Sequence, residues 1–359
     1  MTIVMAGGGS GGHCYPIRAL LHYAHSIGYA GPITWIGTRK SMEETLAWKL
    51  IDELPTLSFP FSFYTISAGK WRREKSLTAI IKNLRDLVLC SVGIIQSLVY
   101  LWRCHATVVF CKGGFVALPV VIAARILRRP IIVHESDVSP GLVNRIAARL
   151  ANIIFCGFPD VIPNSIVTGQ ILSTEIINGD SKIKKTITDW IGKRQCILVM
   201  GGSLGAMSLY DAIYDYIMTS KHSNRCRCIV GGTLTTNTER RQTISNVRFF
   251  SSCSQAIMGS LYACADLAIM RAGTTSLAEA QLHHVPKIIL PLLITHDQER
   301  NAQRYHKTYG DIVILQNNDS WIQDLTHILD SWTQKKQHTD HNTYDDPRSR
   351  IRDTLVTYT

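Results

Sequence analysis

A chain of 359 residues that is 46% hydrophobic and 18% charged, with 25 glycines, is globular in composition and too long for one ordinary core; this excludes a disordered or fibrous protein and sets two α/β domains as the expectation. Thirty-eight Lys and Arg against 27 Asp and Glu give a net charge of +11, which calls for an anionic partner: nucleic acid, lipid headgroups or a phosphorylated substrate. The 10 cysteines are scattered through apolar segments without a CxxC pair, the pattern of reduced, buried thiols rather than of a disulfide framework.

Met1 leads straight into an apolar TIVMA run with no basic n-region or small-residue cleavage site, so export is not expected. From there short β-rich runs alternate with longer amphipathic segments, as in parallel sheets wrapped by helices. The first half reads as strands over 2–6, 33–36, 107–111, 130–133 and 153–156, with helices opening near His13, Ser41, Ser76, Phe115 and Gly141. The apolar stretch 87–102 is interrupted by Ser91, Gln96 and Ser97 and falls short of the roughly 20 residues that span a bilayer. No transmembrane helix is predicted, and most of this helix is assigned to the core. Residues 157–186 carry Pro, Asn, Gly and Ser without sustained periodicity and read as an interdomain link. The pattern restarts with strands over 196–200, 228–230, 247–250, 267–270 and 287–290 and helices near Ala206, Thr236, Gln255, Thr274 and Gln298. The expected fold is α/β, with two doubly wound domains at 1–160 and 161–334 and a polar tail, 335–359, that is poorly ordered or lies on the surface.

Glycine-rich turns mark where chemistry belongs. In MAGGGSGGH, Met5 to His13, a strand ends and a helix opens, so that Gly9, Ser10, Gly11 and Gly12 let the backbone approach a phosphate or sugar at the positive helix end. The plainer reading is a tight βα turn. A dinucleotide oxidoreductase would close its second strand with an acid on the ribose, but the residues here are Gly37, Thr38 and Arg39. Beside this loop fall KGGFVALP, with Gly113 and Gly114, and HESDVSPGLVNR, with Glu135, Asp137 and Asn144. GGSLGA (201–206) repeats the strand-loop-helix logic in the second half, and so does RAGTTSLAEA (271–280). There Glu279 can accept both hydroxyls of a ribose or can be a solvated helix glutamate. Asp297, Gln298 and Asn301 share a helical face and offer a polar rim to sugar hydroxyls. The histidines lack zinc-ligand spacing, and there is no DxD pair and no GxSxG elbow, so a metal site and a serine hydrolase are disfavoured and no cofactor is expected.

In this order and approximate spacing, MAGGGSGGH, GGF, HESDVSPGLVNR, GGSLGA, RAGTTSLAE and HDQERNAQ resemble the MurG family of glycosyltransferases, from Gly7 to about Ala302. The resemblance implies the GT-B fold, two Rossmann-like domains facing across a cleft. It also implies inverting transfer of GlcNAc from UDP-GlcNAc to the C4 hydroxyl of MurNAc in lipid I (undecaprenyl-pyrophosphoryl-MurNAc-pentapeptide), giving lipid II. The alternatives are a related transferase acting on another glycolipid and a non-catalytic nucleotide-sugar binding protein. Carried over by position, Ser203, Arg271, Gly273, Thr274 and Glu279 would line the UDP site, with Asp297 and Gln298 on the GlcNAc hydroxyls. Gly9, Ser10, Gly11, Gly12, Gly113, Gly114, Glu135 and Asn144 would bind acceptor or diphosphate. An inverting transfer needs a general base, and His13 is the first candidate and Asp137 the second; His13 can equally be a helix N-cap or a phosphate ligand. The implied location is the cytoplasmic face of the plasma membrane, peripherally bound, with an anionic membrane surface as partner and no nucleic acid. Trp71, Arg72 and Arg73, followed by the apolar stretch from Leu77, together with Arg125, Arg128 and Arg129, offer aromatic and basic groups to such an interface, with only the Trp71 end expected to touch lipid. The sequence departs from the family at 169–173, where GQILS lacks an expected arginine near the diphosphate, at Phe115 in place of Tyr, and at Leu204 in place of Gln.

Overall fold

The structure, a computed structural model, describes residues 2–70, 76–201, 207–219, 226–231, 246–250, 253–292, 296–317, 320–332 and 346–358. The chain divides into two compact units, Met1–Ser173 with Asp345–Thr359, and Thr174–Tyr344. In the first unit the order is β1 (Thr2–Gly7), α1 (Gly11–Ser26), β2 (Ile33–Gly37), α2 (Met42–Glu53), β3 (Phe61–Thr65), α3 (Leu77–Arg103), β4 (Ala106–Gly113), α4 (Ala117–Ile126), β5 (Ile131–Glu135), α5 (Leu142–Leu150), β6 (Ile153–Cys156) and β7 (Ile166–Val167). The second unit runs α6 (Thr174–Asn178), α7 (Ser181–Ile191), β8 (Gln195–Met200), α8 (Met207–Thr219), β9 (Cys226–Gly231), β10 (Val247–Phe250), α9 (Gln255–Cys264), β11 (Leu267–Met270), α10 (Thr274–Leu282), β12 (Lys287–Ile289), α11 (His296–Tyr309), β13 (Ile312–Val313) and α12 (Trp321–Ser331). A last helix, α13 (Pro347–Thr357), belongs to the first unit again.

Each unit is built on one parallel sheet, ordered β3-β2-β1-β4-β5-β6-β7 in the first and β10-β9-β8-β11-β12-β13 in the second. Near-continuous apolar strands suit such sheets, whose two faces are both buried. Along β1, Ile3 and Met5 enter one core cluster and Val4 and Ala6 the other, so both faces are packed. Strand order reverses on either side of β1 in the first sheet and of β8 in the second, which puts the turns after β1, β4, β8 and β11 at the switch points where α/β sheets bind ligands. The helix expected near Thr236 and the GGSLGA turn with Ser203 and Leu204 lie outside the described residues.

Three expectations change. The division between units falls after Ser173, not after 160, because β7 adds to the first sheet. The polar tail is corrected as well: α13 puts Ile351 and Leu355, one helical turn apart, into the same core as Ile3, Ile17 and Phe155. Arg348, buried beside them, pairs with Asp346 and lies over the Tyr23 ring. The third correction concerns α3, which is 27 residues long and is a described helix long and apolar enough to cross a bilayer by length and composition. It is not a core helix. Its buried stripe is Ala79, Asp86, Gly93, Ser97 and Leu101, mostly small or polar. A Cβ on Gly93 would come within 2.0 Å of the Ser67 carbonyl oxygen, so glycine is what lets the helix sit this close. The large apolar residues face outward instead, Leu77 at 73% exposure, Leu84 at 65% and Trp102 at 67%, along with Ile81 and Ile95. Trp71, Arg72 and Arg73 lie outside the described residues.

Candidate active site

In the first unit the glycine turn is shaped by a carboxylate that no motif announces. Glu43, fully buried in the first turn of α2, points back under the turn: its Oε2 accepts from Gly9 N at 3.1 Å, and its Oε1 accepts from Thr38 N at 3.1 Å and Thr38 Oγ1 at 2.7 Å. Burial alone would raise its pKa, but the bonds from Thr38 and Gly9 outweigh burial and hold the carboxyl below its ordinary value. The turn also explains several of its own glycines. A Cβ on Gly9, whose φ is +84°, would strike the Phe115 ring at 2.5 Å, and one on Gly114 would strike the Gly8 carbonyl oxygen at 2.1 Å. What remains for a ligand is the start of α1. Ser10 is its N-cap without a side-chain cap bond, and a Cβ on Gly12 would meet nothing nearer than Ser10 Oγ at 4.0 Å.

The His13 ring packs inside this turn, within 2.9 Å of where a Gly114 Cβ would sit, and its Nδ1 is buried without a hydrogen-bond partner. Burial first, then the charge of Lys112, lowers its pKa to about 4, so the imidazole is neutral at pH 7. It does not cap α1, as one reading of the sequence had it; Ser10 holds that position.

Glu135, at the end of β5, organises the adjacent loop. Its Oε1 accepts from Asp137 N at 2.9 Å, and its Oε2 from Asn144 Nδ2 at 2.9 Å and Gly141 N at 3.2 Å. Burial and the neighbouring charge of Asp137 raise its pKa, opposed by Lys112 and these donors. Glu135 and Asn144 are buried, whereas Asp137 is half-exposed. A Cβ on Gly113 would come within 2.7 Å of Asn144 Oδ1, so the GGF turn and the Glu135 loop are in contact. Gln170, from the segment where an arginine was expected, donates Nε2 to the Ser136 carbonyl at 2.7 Å, and His134 Nε2 lies 3.1 Å from the Gly169 carbonyl oxygen. That segment therefore braces the loop rather than presenting a charge.

In the second unit, Arg271 directly follows β11 and donates Nη1 to the Leu290 carbonyl at 3.0 Å and to Gln316 Oε1. Gly273 is the N-cap of α10 with no side-chain cap bond, and Thr274 follows, buried. Gln298 Oε1 accepts from Ala272 N at 3.3 Å and Leu292 N at 3.0 Å, tying together the turns after β11 and β12. Asp297 is half-exposed in the first turn of α11. Glu279 is not the solvated glutamate that one reading allowed: it is buried, Tyr262 donates its hydroxyl to Oε2 at 3.3 Å, and burial pushes its pKa up to about 8.

A glycosyltransferase family 28 N-terminal domain model matches residues 3–156, and the C-terminal domain model of the same family matches 196–353. A UDP-N-acetylglucosamine–N-acetylmuramyl-(pentapeptide) pyrophosphoryl-undecaprenol N-acetylglucosamine transferase from Lachnospira eligens is 32% identical, the match covering 88% of this chain and 86% of the relative. The transferase so named in Shouchella clausii is 33% identical over 85% of this chain and 83% of its own. The chain belongs to this family of glycosyltransferases. The crystal structure of Acinetobacter baumannii MurG matches with a TM-score of 0.69 over 99% of both chains at 21% identity, which shows the shared fold.

The family motifs fall on two sets of turns. In the first unit Gly9, His13, Gly113, Gly114, Glu135 and Asn144 form one packed network, with Ser10, Gly11 and Gly12 at the open helix start and Asp137 on its rim. In the second, Arg271, Gly273, Thr274 and Gln298 gather at the ends of β11 and β12 with Asp297 beyond them, while Glu279 sits deeper. Motif reading missed Glu43 and gave Lys112, the first residue of KGGFVALP, no role. The signal for each was a charge where the pattern demands burial: Lys112 closes the apolar run VVFC, and Glu43 precedes the Glu44 whose N–H bonds the Ser41 cap.

The raised Glu279 carboxyl predicts a pH dependence of stability. A folded pKa of about 8 against the ordinary 4.5 means that the unfolded chain releases this proton first. The contribution is fully present below pH 4.5 and is lost as pH rises through 8. Denaturant titrations between pH 5 and 9 should show the second unit weakening with pH, and the slope should flatten in Glu279→Gln; an equal slope in both would contradict the burial account.

Proposed function

We propose that the chain transfers GlcNAc from UDP-GlcNAc to the C4 hydroxyl of MurNAc in lipid I with inversion, working at the cytoplasmic face of an anionic membrane. What carries the reading is that its likeness to transferases of that name runs through both units at 32% identity. In this reading the second unit takes the donor. The uncapped start of α10 and Arg271 meet the diphosphate, whose charge grows as UDP leaves. By their place in the motifs, Glu279 is assigned to the ribose hydroxyls, Ser203 to the diphosphate, and Asp297 and Gln298 to the GlcNAc hydroxyls.

The first unit takes the acceptor. Ser10, Gly11 and Gly12 offer free amides at the start of α1 to the acceptor diphosphate. Asp137 is the better general base: its backbone is fixed by Glu135 and it reaches solvent, whereas a pKa lowered to about 4 leaves the His13 imidazole a weak proton acceptor with its Nδ1 enclosed. His13 then shapes the glycine turn rather than moving the proton. Purified protein given UDP-GlcNAc and a short-chain lipid I analogue should release UDP and form the disaccharide in equal amounts. Asp137→Asn should lower kcat by about 10²–10⁴-fold with the KM for UDP-GlcNAc unchanged. UDP release without disaccharide, or full turnover in Asp137→Asn, would count against the assignment.

Membrane docking is supported by the outward apolar face of α3 and by Arg125, Arg128 and Arg129, which line a cavity of about 420 Å³ with Asn152. Because α3 also packs a stripe against its own unit, with Asp86 buried and paired to Arg85, it suits lying on a surface better than crossing it. Cosedimentation with phosphatidylglycerol vesicles should be lost in Leu84→Glu/Ile95→Glu and weakened by salt in the wild type. Binding that survives both would remove α3 from the docking face.

A further inference from the structure

Lys112 is a buried cation that neither the motifs nor the family names assign. It lies near the end of β4, 1% exposed, one residue before the paired glycines, and its Nζ donates to Ser136 Oγ at 2.6 Å. Ser136 sits between Glu135 and Asp137, so the ammonium is held against the loop that carries both acceptor-side carboxylates. The Lys112 Cβ also lies within 3.1 Å of where a Cβ on Gly7 would be, at the root of the glycine turn. Burial lowers its pKa, and the charges of Glu135 and Asp137 oppose that and favour the ammonium.

An ammonium taken out of water is costly unless nearby charge compensates it. The titratable groups whose charge couples to Lys112 are His13 from α1, Cys111 beside it on β4, His134 and Glu135 from β5, and Asp137 in the following loop. Two of these are carboxyls, and the other three are neutral in their ordinary buried forms. A negative loop and a buried cation thus stabilise one another, and the loop keeps its charge where Glu135 must accept three N–H donors at once.

We propose that Lys112 is a positioning residue for the transfer reaction: its ammonium, anchored on Ser136, is the counter-charge that keeps Glu135 and Asp137 ionised and their loop in its reactive shape. The proposal rests on the acceptor-side reading of the first unit. Removing the charge while keeping the bulk raises the proton affinity of both carboxyls, so the enzyme loses its base at low pH and regains it at high pH. A residue that merely fills space would lower activity equally at every pH.

The test is the pH profile of turnover with UDP-GlcNAc and a short-chain lipid I analogue, from pH 5 to 9, for the wild type, Lys112→Met and Lys112→Arg. In Lys112→Met the acidic limb should move up by about one pH unit or more, the deficit narrowing toward pH 9, with the KM for UDP-GlcNAc unchanged. Lys112→Arg should restore the wild-type limb. A Lys112→Met profile parallel to the wild type would overturn the proposal. Should Lys112→Met fail to fold, Lys112→Gln keeps a donor for Ser136 without the charge and is read in the same way. If the wild type itself shows no turnover, the transfer reading has failed. The proposal is then judged separately, by carbon-13 NMR titration of labelled Asp and Glu in the wild type and Lys112→Gln; coincident carboxyl titrations would overturn it.

Discussion

The loop after β5, which the proposed function gives to the acceptor, depends on one buried carboxylate meeting three donors. Glu135 accepts from the backbone of Asp137, the backbone of Gly141 and the side chain of Asn144, and so closes the loop between β5 and α5 on itself. Hydrogen bonds to an ionised acceptor are the stronger kind, and an unmatched donor left in this place would cost about 1–3 kcal/mol. The loop's shape, the placing of Asp137 on its rim and the contact of Asn144 with the GGF turn all follow. Glu43 does the equivalent work under the glycine turn of β1. Both glutamates occupy backbone donors of their turns, so in the proposed function only the free amides at the start of α1, rather than the whole glycine turn, are left for a diphosphate.

The second unit applies the same logic with neutral groups. Gln298 ties the turns after β11 and β12, and Arg271 is held by a backbone carbonyl and by Gln316, so the guanidinium is oriented before any ligand arrives. Pre-orientation of this sort lowers the ordering cost of binding. Where an arginine was expected at 169–173, the segment instead braces the loop after β5 through Gln170, and Lys112 on β4 reaches the same loop at Ser136.

Much of this was legible in the residues. The strands of both sheets announced themselves as apolar runs because parallel strands are buried on both faces, and the glycine turns were visible because backbone sterics leave few alternatives at Gly9 and Gly114. β3 was missed: FSFYT is a strand with large apolar side chains at an edge, without the buried run that marked its neighbours. The length and apolarity of α3 could be read, but which face it buries could not, since its inward stripe is the small and polar one. α13 looked like a solvated tail because two residues, Ile351 and Leu355, carry its attachment amid charge. The contacts of Glu43 with Gly9, of Lys112 with Ser136 and of Glu279 with Tyr262 are tertiary, so local periodicity reports the charges but not their partners.

The most direct measurement is the transfer activity of Glu135→Gln alongside its affinity for UDP. Glutamine keeps the size of the side chain, but it turns one acceptor oxygen into a donor that must face the N–H groups of Asp137, Gly141 or Asn144. The account predicts a large loss of kcat with the loop disordered in amide hydrogen exchange, and UDP binding in the second unit unchanged. Wild-type turnover with an ordered loop in Glu135→Gln would contradict it.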